Sequence, residues 1–382
     1  LRILQVIPDL ETGGAERTTL DVAAAIQKSG GLAIVASTGG RLADELKAGG
    51  AILEKVPVQS KNPLTIWRNI GRLQSIITKH RINLVHARSR APAWSAYFAA
   101  KKSHVPFVAT YHGTYSAKSS MKRAYNAIMT KGVKTIANSH FIADHIQQEY
   151  DLPTEQIVTI PRGTDFSNLN PNSFDRAAAD AMRKSWGLAD DSRPIVLLPG
   201  RLTRWKGQAV LIEAAAEIVK MGRKDFVCVI AGDAQGRTDY ENELKKLITR
   251  HGLEEYVHMV GHIDDMTTAY GLAQVIISAS TRPEAFGRIA VEAQAMQRPV
   301  VVTDHGGARE TVLNGKTGWR VAVGDSLAMA QAIDATLAMT AESRQKMGQN
   351  GRNHVLKAYS VNQMCAKTLA VYWDVLTHPA KG

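Results

Sequence analysis

Two doubly wound α/β domains, each built on a parallel sheet, are the fold class this sequence predicts. Three observations carry it. Short apolar runs alternate with longer helical patterns, the runs are continuously apolar as in strands buried on both faces, and the rhythm pauses in a polar stretch near 168–191 before starting again. The chain has 382 residues, enough for about two to three folding units.

The first set of strand-like runs is RILQVI (2–7), LAIVAS (32–37), NLVHA (83–87), PFVAT (106–110), KTIAN (134–138) and IVTI (157–160), each followed by a helix-like stretch. The second is PIVLLPG (194–200), FVCVIAGD (226–233), YVHMVG (256–261), VIISAS (275–280) and PVVVTD (299–304). A linker is expected near 165–190, giving one Rossmann-like domain over 1–170 and another over 171–359. Two such sheets are expected to face a cleft at their strands' carboxyl ends, where ligands of open α/β sheets bind. The last helical stretch, about 360–382, carries Tyr372 and Trp373, apolar anchors expected to pack back on the first domain.

Apolar residues make up 45% and charged residues 21%, so disordered, collagen-like and disulfide-scaffold classes drop out. No apolar run approaches the length of a membrane span, and no basic-then-apolar leader opens the sequence, so a soluble chain is expected. Cys228 and Cys365 are too few for a disulfide framework, which fits a reducing cytoplasm. The net charge of +12 points to an acidic partner. It is concentrated: residues 55–143 hold fifteen Lys or Arg and no Asp or Glu.

Within that stretch Trp67, Ile70, Leu73 and Ile77 recur at helical spacing among Arg68, Arg72 and Lys79. Met121, Tyr125, Ile128 and Met129 do so beside Lys118, Lys122 and Arg123. Such helices either rest on an anionic inner-leaflet membrane or turn their apolar stripes into a core and leave the charges solvated. Nucleic acid as the acidic partner is set aside, because aromatics for base stacking are only 6% of the chain.

Three segments gather residue types suited to a phosphorylated sugar. After the first strand, Gly13 and Gly14 open a helix, where missing side chains and free amides admit a phosphate or simply make a tight turn. After the second domain's first strand, Gly200, Arg201 and Lys206 gather on one loop: a forked and a point cation suited to a departing diphosphate, or else a solvated basic loop. After VIISAS, Glu284 sits on a loop and Glu292 two turns into the next helix, at different depths, so a shared-proton dyad is not expected. The Phe286 and Gly287 amides open that helix. No Asp-x-Asp occurs, and no metal or cofactor is expected because two fixed cations can neutralise the same charge.

In this order, with Tyr111-His112-Gly113, Gly306-Gly307 and Glu310, these segments resemble a GT-B glycosyltransferase of the retaining family 4, over almost the whole chain. The resemblance implies transfer of a sugar from a nucleotide diphosphate sugar, the co-substrate, with retention and without metal. It assigns Arg201 and Lys206 to the diphosphate, Glu284 to the transferred sugar, Glu292 to the ribose and His112 to the sugar near the reacting carbon. Gly13 and Gly14 fall on the loop over the phosphate and acceptor, and Gly261 and Ile263 near the base. His112 has the alternative of being a packed core histidine. The segments GRLTRWKGQ and RPEAFGRIAVEAQAM are similar to bacterial lipopolysaccharide core mannosyltransferases, which implies GDP-mannose as donor, with a UDP-hexose as competitor and a GT-B sugar-nucleotide epimerase as a further alternative. Arg88 and Arg90 are then expected to meet an anionic glycan or glycolipid acceptor, with Lys118, Lys122 and Arg123 nearby. One departure stands out: Arg162 replaces the asparagine of the family's Pro-Asn-Gly-x-Asp segment.

Overall fold

The computed structural model describes residues 1–115, 119–236 and 238–378, which form two compact units. The first comprises Leu1–Gly163 together with Val361–Gly382, and the second Thr164–Ser360.

In the first unit seven parallel strands are β1 (Arg2–Val6), β2 (Leu32–Ser37), β3 (Ile52–Lys55), β4 (Leu84–Ala87), β5 (Phe107–Tyr111), β6 (Lys134–Ala137) and β7 (Ile157–Thr159). Their order is β3-β2-β1-β4-β5-β6-β7. In the second unit β8 (Ile195–Pro199), β9 (Val227–Ala231), β10 (Val257–Gly261), β11 (Ala273–Ser278), β12 (Val300–Thr303) and β13 (Gly318–Val321) run β10-β9-β8-β11-β12-β13. All recorded pairings are parallel, and β1, β4, β5, β8 and β9 are buried on both faces. That is why they read as unbroken apolar runs. In each sheet the order reverses once, between β1 and β4 and between β8 and β11. Such a switch point opens a crevice at the strands' carboxyl ends.

Two strands escape the apolar-run criterion. β3 (ILEK) and β13 (GWRV) are edge strands, half solvated, so polar residues interrupt their pattern. The segment expected as a linker is likewise structured: it carries the helix Arg176–Ser185, capped by Asp175, while Leu169, Ala179, Trp186 and Leu188 join the core of the second unit. Few apolar residues spread over a charged helix concealed that packing.

The helix Pro63–Lys79 is entered by Asn62, whose side chain accepts from the Leu64 and Thr65 amides, with Pro63 at its first position. Its buried face runs through Asn69, Leu73, Ile76 and Ile77. Trp67 leaves the expected stripe: it is 67% exposed and Leu64 57%, on the side that carries Arg68. The second basic helix is shorter than its spacing suggested. It ends at Asn126 and passes into a 3-10 turn that buries Ile128 and Met129, leaving Met121 exposed.

The final helix, Val361–Thr377, belongs to the first unit and packs Met364, Cys365, Val371, Tyr372 and Val375 into its core. Trp373, by contrast, is half exposed. Both cysteines are free and buried. No described helix is long and apolar enough to cross a membrane.

Candidate active site

The carboxyl ends of β8 and β11 bring the second unit's polar residues together. β8 ends at Gly200, and the following loop folds through a 3-10 turn over Arg204–Lys206 to Gly207, which caps the helix Gln208–Lys220. Gly207 has φ +75, and a Cβ there would overlap the Ala279 carbonyl beyond β11. Only glycine permits that approach of two loops. The Thr281 amide completes it by donating to the Trp205 carbonyl at 2.7 Å.

This seam places Lys206 Nζ 2.8 Å from Glu284 Oε1, with both side chains mostly shielded from water. The Ser280 hydroxyl donates to the same carboxylate oxygen, and the Lys206 ammonium lies 4.6 Å from the Trp205 ring centre. The cation thus has an acid on one side and an aromatic on the other, which fixes its position at the mouth of the switch point. The loop bearing Glu284 is backed by Gly306 and Gly307, where a Cβ would overlap the Glu284 and Phe286 backbones. The Gly307 amide donates to the Glu284 carbonyl at 2.8 Å.

Arg201 lies exposed on the same loop as Lys206, and its side chain makes no hydrogen bond or ion pair among the described residues. Gly287, φ +83, caps the helix Arg288–Ala295, and Phe286 beside it is a core side chain packed edge-on against Tyr359, so only its backbone is available to a ligand. Glu292 is held by the buried Tyr270 hydroxyl, 2.9 Å away, and by Arg288 Nε at 3.0 Å. Gly261 is exposed at the end of β10, with Ile263 partly buried two residues on. The structure therefore brings Lys206 and Glu284 into contact, keeps Arg201 on their loop, and places Glu292 separately in the helix. Ser280, Tyr270 and Arg288 were not singled out from sequence. Arg288 was legible as the i,i+4 partner of Glu292.

In the first unit the loops after β1 and β4 flank the switch point. Gly13 precedes the helix Gly14–Lys28 without a side-chain cap, but the Glu16 carboxylate lies where a Gly13 Cβ would be. A Cβ on Gly14 would overlap the Arg162 guanidinium. The pair of glycines thus admits one of the chain's own carboxylates and one of its guanidiniums.

Arg88 is not on the surface expected for an acceptor contact. It is 2% exposed, with its Nε and Nη2 donating to Gln5 Oε1 at 2.9 and 2.5 Å. Arg90 donates to Asn126 Oδ1 at 3.0 Å and covers the Tyr115 ring. Arg123 is tied to the Glu149 carbonyl at the end of the helix His140–Tyr150, a structural anchor for that cation. Lys122 is exposed, and Lys118 lies outside the described residues.

The His112 carbonyl accepts from Asn138 Nδ2, whereas its buried Nε2 has no partner among the described residues. Burial, reinforced by Arg88 and Arg162, pushes the imidazole down to about 3, so it is neutral at physiological pH. Both alternatives for this histidine meet in one side chain: it is packed, and one nitrogen is uncommitted.

Two parallel α/β sheets, each with polar side chains gathered beyond its strands' carboxyl ends, are the fold class of the GT-B enzymes. The comparisons with known proteins specify the family. The chain belongs to the glycosyltransferases, residues 12–168 matching the Glycosyltransferase Family 4 model and residues 180–354 the Glycosyl transferases group 1 model. It is 35% identical to a glycosyltransferase from Rickettsia africae ESF-5 whose crystal structure covers 99% of both chains with a TM-score of 0.89. It is 28% identical over 334 residues to the alpha-D-kanosaminyltransferase of Streptomyces kanamyceticus, 82% of this chain and 81% of that one. Anabaena Alr3699/HepE, crystallised with UDP-glucose, is 25% identical with a TM-score of 0.79 over 97% of this chain and 99% of that one.

Proposed function

We propose that this glycosyltransferase moves a hexose, with retention of configuration and without metal, from a nucleoside diphosphate sugar to an anionic cell-envelope glycan such as a lipopolysaccharide core. The observation that carries the proposal is the Lys206–Glu284 contact. An ammonium and a carboxylate one hydrogen bond apart match the junction of a sugar phosphate: negative phosphate beside the ammonium, sugar hydroxyls beside the carboxylate. As the bond from sugar to phosphate breaks, charge grows on the leaving diphosphate. Lys206, fixed by Trp205 and Glu284, and Arg201, uncommitted and forked, are placed to take it up without reorganising. The departing phosphate oxygen then takes the proton of the attacking acceptor hydroxyl on the same face, which preserves configuration. Glu292 takes the ribose diol in exchange for one of its present partners.

Mannose from GDP-mannose is the donor we favour, on the wording of the two sugar-phosphate loops. A UDP-hexose is the second reading, supported by the crystallised Anabaena relative. Peripheral contact with an anionic inner leaflet is supported by Trp67 and Leu64, exposed on a helix whose neighbours are basic. A thermal-shift panel of GDP-, UDP- and ADP-sugars decides the donor, since a ligand at 100 times its dissociation constant stabilises by about 2.7 kcal/mol. A protein that responds to none of them is not the transferase proposed.

A further inference from the structure

Beside the carboxyl end of β5 lies a cavity with room for one water molecule, walled by Arg88, Thr110, His112 and Asn138 and closed on one side by the final helix. Two of these walls carry buried polar atoms with no partner among the described residues, His112 Nε2 and Asn138 Oδ1. Asn138 is oriented by its other atom: Nδ2 donates to the His112 carbonyl at 3.2 Å, so the atom left over is the oxygen, an acceptor. His112 is neutral, because burial pushes it down to about 3. Its Nε2 is therefore a donor or an acceptor according to which ring nitrogen holds the single proton.

The opposite wall decides the polarity. Tyr372, in the final helix and fully buried, has one described partner, His86 Nδ1 at 2.5 Å. A buried phenol that donated nowhere would forfeit its hydrogen bond, so the proton goes to Nδ1. Burial keeps His86 neutral as well, and its own proton then sits on Nε2 and is donated to Thr110 Oγ1 at 2.7 Å. The Thr110 oxygen also accepts from Arg88 Nη1, at the long distance of 3.5 Å. With both lone pairs engaged, Thr110 has only its hydroxyl proton to offer the cavity. Arg88 likewise offers protons alone, since a guanidinium has no acceptor.

We propose that one water bridges these four groups, accepting from Thr110 and Arg88 and donating to Asn138 Oδ1 and His112 Nε2, which holds the His112 proton on Nδ1. A protonated Nε2 would surround that water with three donors for two lone pairs and leave one of its protons without an acceptor. Tyr372, His86 and Thr110 are thus positioning residues that set the tautomer of His112. The His112 ring is partly accessible although Nε2 is not, so Nδ1–H is the group it presents outward. On the transferase reading above, on which this step alone rests, the loop after β5 offers its substrate a donor and not an acceptor.

The test is the tautomer of His112 in the full chain, its histidines labelled with heavy nitrogen and read by proton–nitrogen correlation NMR. Loss of signals in His112→Asn assigns them. Thr110→Val removes the hydroxyl, Thr110→Ser keeps it, and Tyr372→Phe removes the first donor of the chain. Wild type and Thr110→Ser should favour the Nδ1-protonated form by about tenfold or more, and Thr110→Val and Tyr372→Phe should fall to a mixture. Free neutral histidine prefers its proton on Nε2, so the expected result is not the default. A wild-type His112 protonated on Nε2 overturns the proposal, as does an unchanged tautomer in Thr110→Val. Should that variant fail to fold, Tyr372→Phe carries the same comparison. A crystal structure fine enough to show waters should place one within hydrogen-bond reach of His112 Nε2 and Asn138 Oδ1, and its absence there also overturns the relay. GDP and UDP titrated into the same proteins report separately on the transferase reading: no nucleotide binding would remove the substrate-facing step and leave the tautomer result standing.

Discussion

Lys206 and Glu284 should have like effects on stability and opposite effects on nucleotide binding. At 2.8 Å their attraction is about 6 kcal/mol for an effective dielectric of about 20. Desolvation of two side chains that are only 14% and 18% exposed cancels much of this, leaving a coupling of about 1–3 kcal/mol. Each single variant, Lys206→Met or Glu284→Gln, should therefore lose about 1–3 kcal/mol in urea unfolding, and the double variant less than the sum. Nucleotide affinity should split the pair. Lys206→Met removes a charge-assisted contact worth about 1.5–3 kcal/mol, roughly 10- to 100-fold in affinity for GDP or UDP. Glu284→Gln releases the ammonium from its internal acid and should leave that affinity equal or higher. Both variants should lose turnover by about 100-fold or more, Lys206→Met through the leaving group and Glu284→Gln through the sugar. The experiment is a double-mutant cycle read by unfolding, with isothermal titration of the same four proteins. A coupling near zero would mean the contact is not populated in solution. A Glu284→Gln protein that loses nucleotide as severely as Lys206→Met would refute the division of roles.

Two glycines at the same site should respond unequally to alanine. Gly287→Ala pays only for a left-handed backbone, about 1–2 kcal/mol, because its Cβ meets nothing closer than 3.6 Å; Gly207→Ala should cost clearly more, since it also drives into the Ala279 carbonyl, and the difference is read as a gap in Tm. Acid should unfold the first unit through its buried histidines. With His112 held near 3, below an unfolded value of about 6.5, the unfolded chain binds the proton first, so stability falls as pH drops across that window by about 1.4 kcal/mol per pH unit for this residue. His112→Asn should flatten the slope by that amount in urea titrations between pH 6 and 4. For the membrane contact, Trp67→Ser should reduce sedimentation with anionic vesicles several-fold with no change in Tm, because the ring is mostly exposed; an unchanged partition would remove the helix from the interface.

Much of this fold is legible in the sequence because its central strands are shielded on both sides. β1, β4, β8 and β11 show as plain apolar runs, and the loops after them carry the residues with chemistry. The resemblance assigns Lys206 and Glu284 to neighbouring parts of one substrate, but the 78 positions between them leave no local trace of their contact. What stayed hidden has definite causes. β3 and β13 are edge strands whose polar residues face water. Trp67 sits one helical step away from the buried face, and periodicity alone does not distinguish an anchor in a core from one in solvent. Arg88 looked like a surface cation because arginine usually is one; its burial depends on Gln5, which lies 83 residues earlier in the chain.

The return of the last helix to the first unit gives the molecule a particular order of birth. The strands β1 to β7 leave the ribosome early, yet Met364, Cys365, Val371 and Tyr372, which complete their core and supply the phenol for His86, are translated only after the whole second unit. Residues 164–360, contiguous in the chain, have every piece of their own sheet available earlier. The nascent first unit must wait, its apolar flank uncovered, until Val361–Thr377 has been made. A chain released prematurely before Val361 would leave that flank open to chaperones and proteases while keeping a second unit able to close on itself.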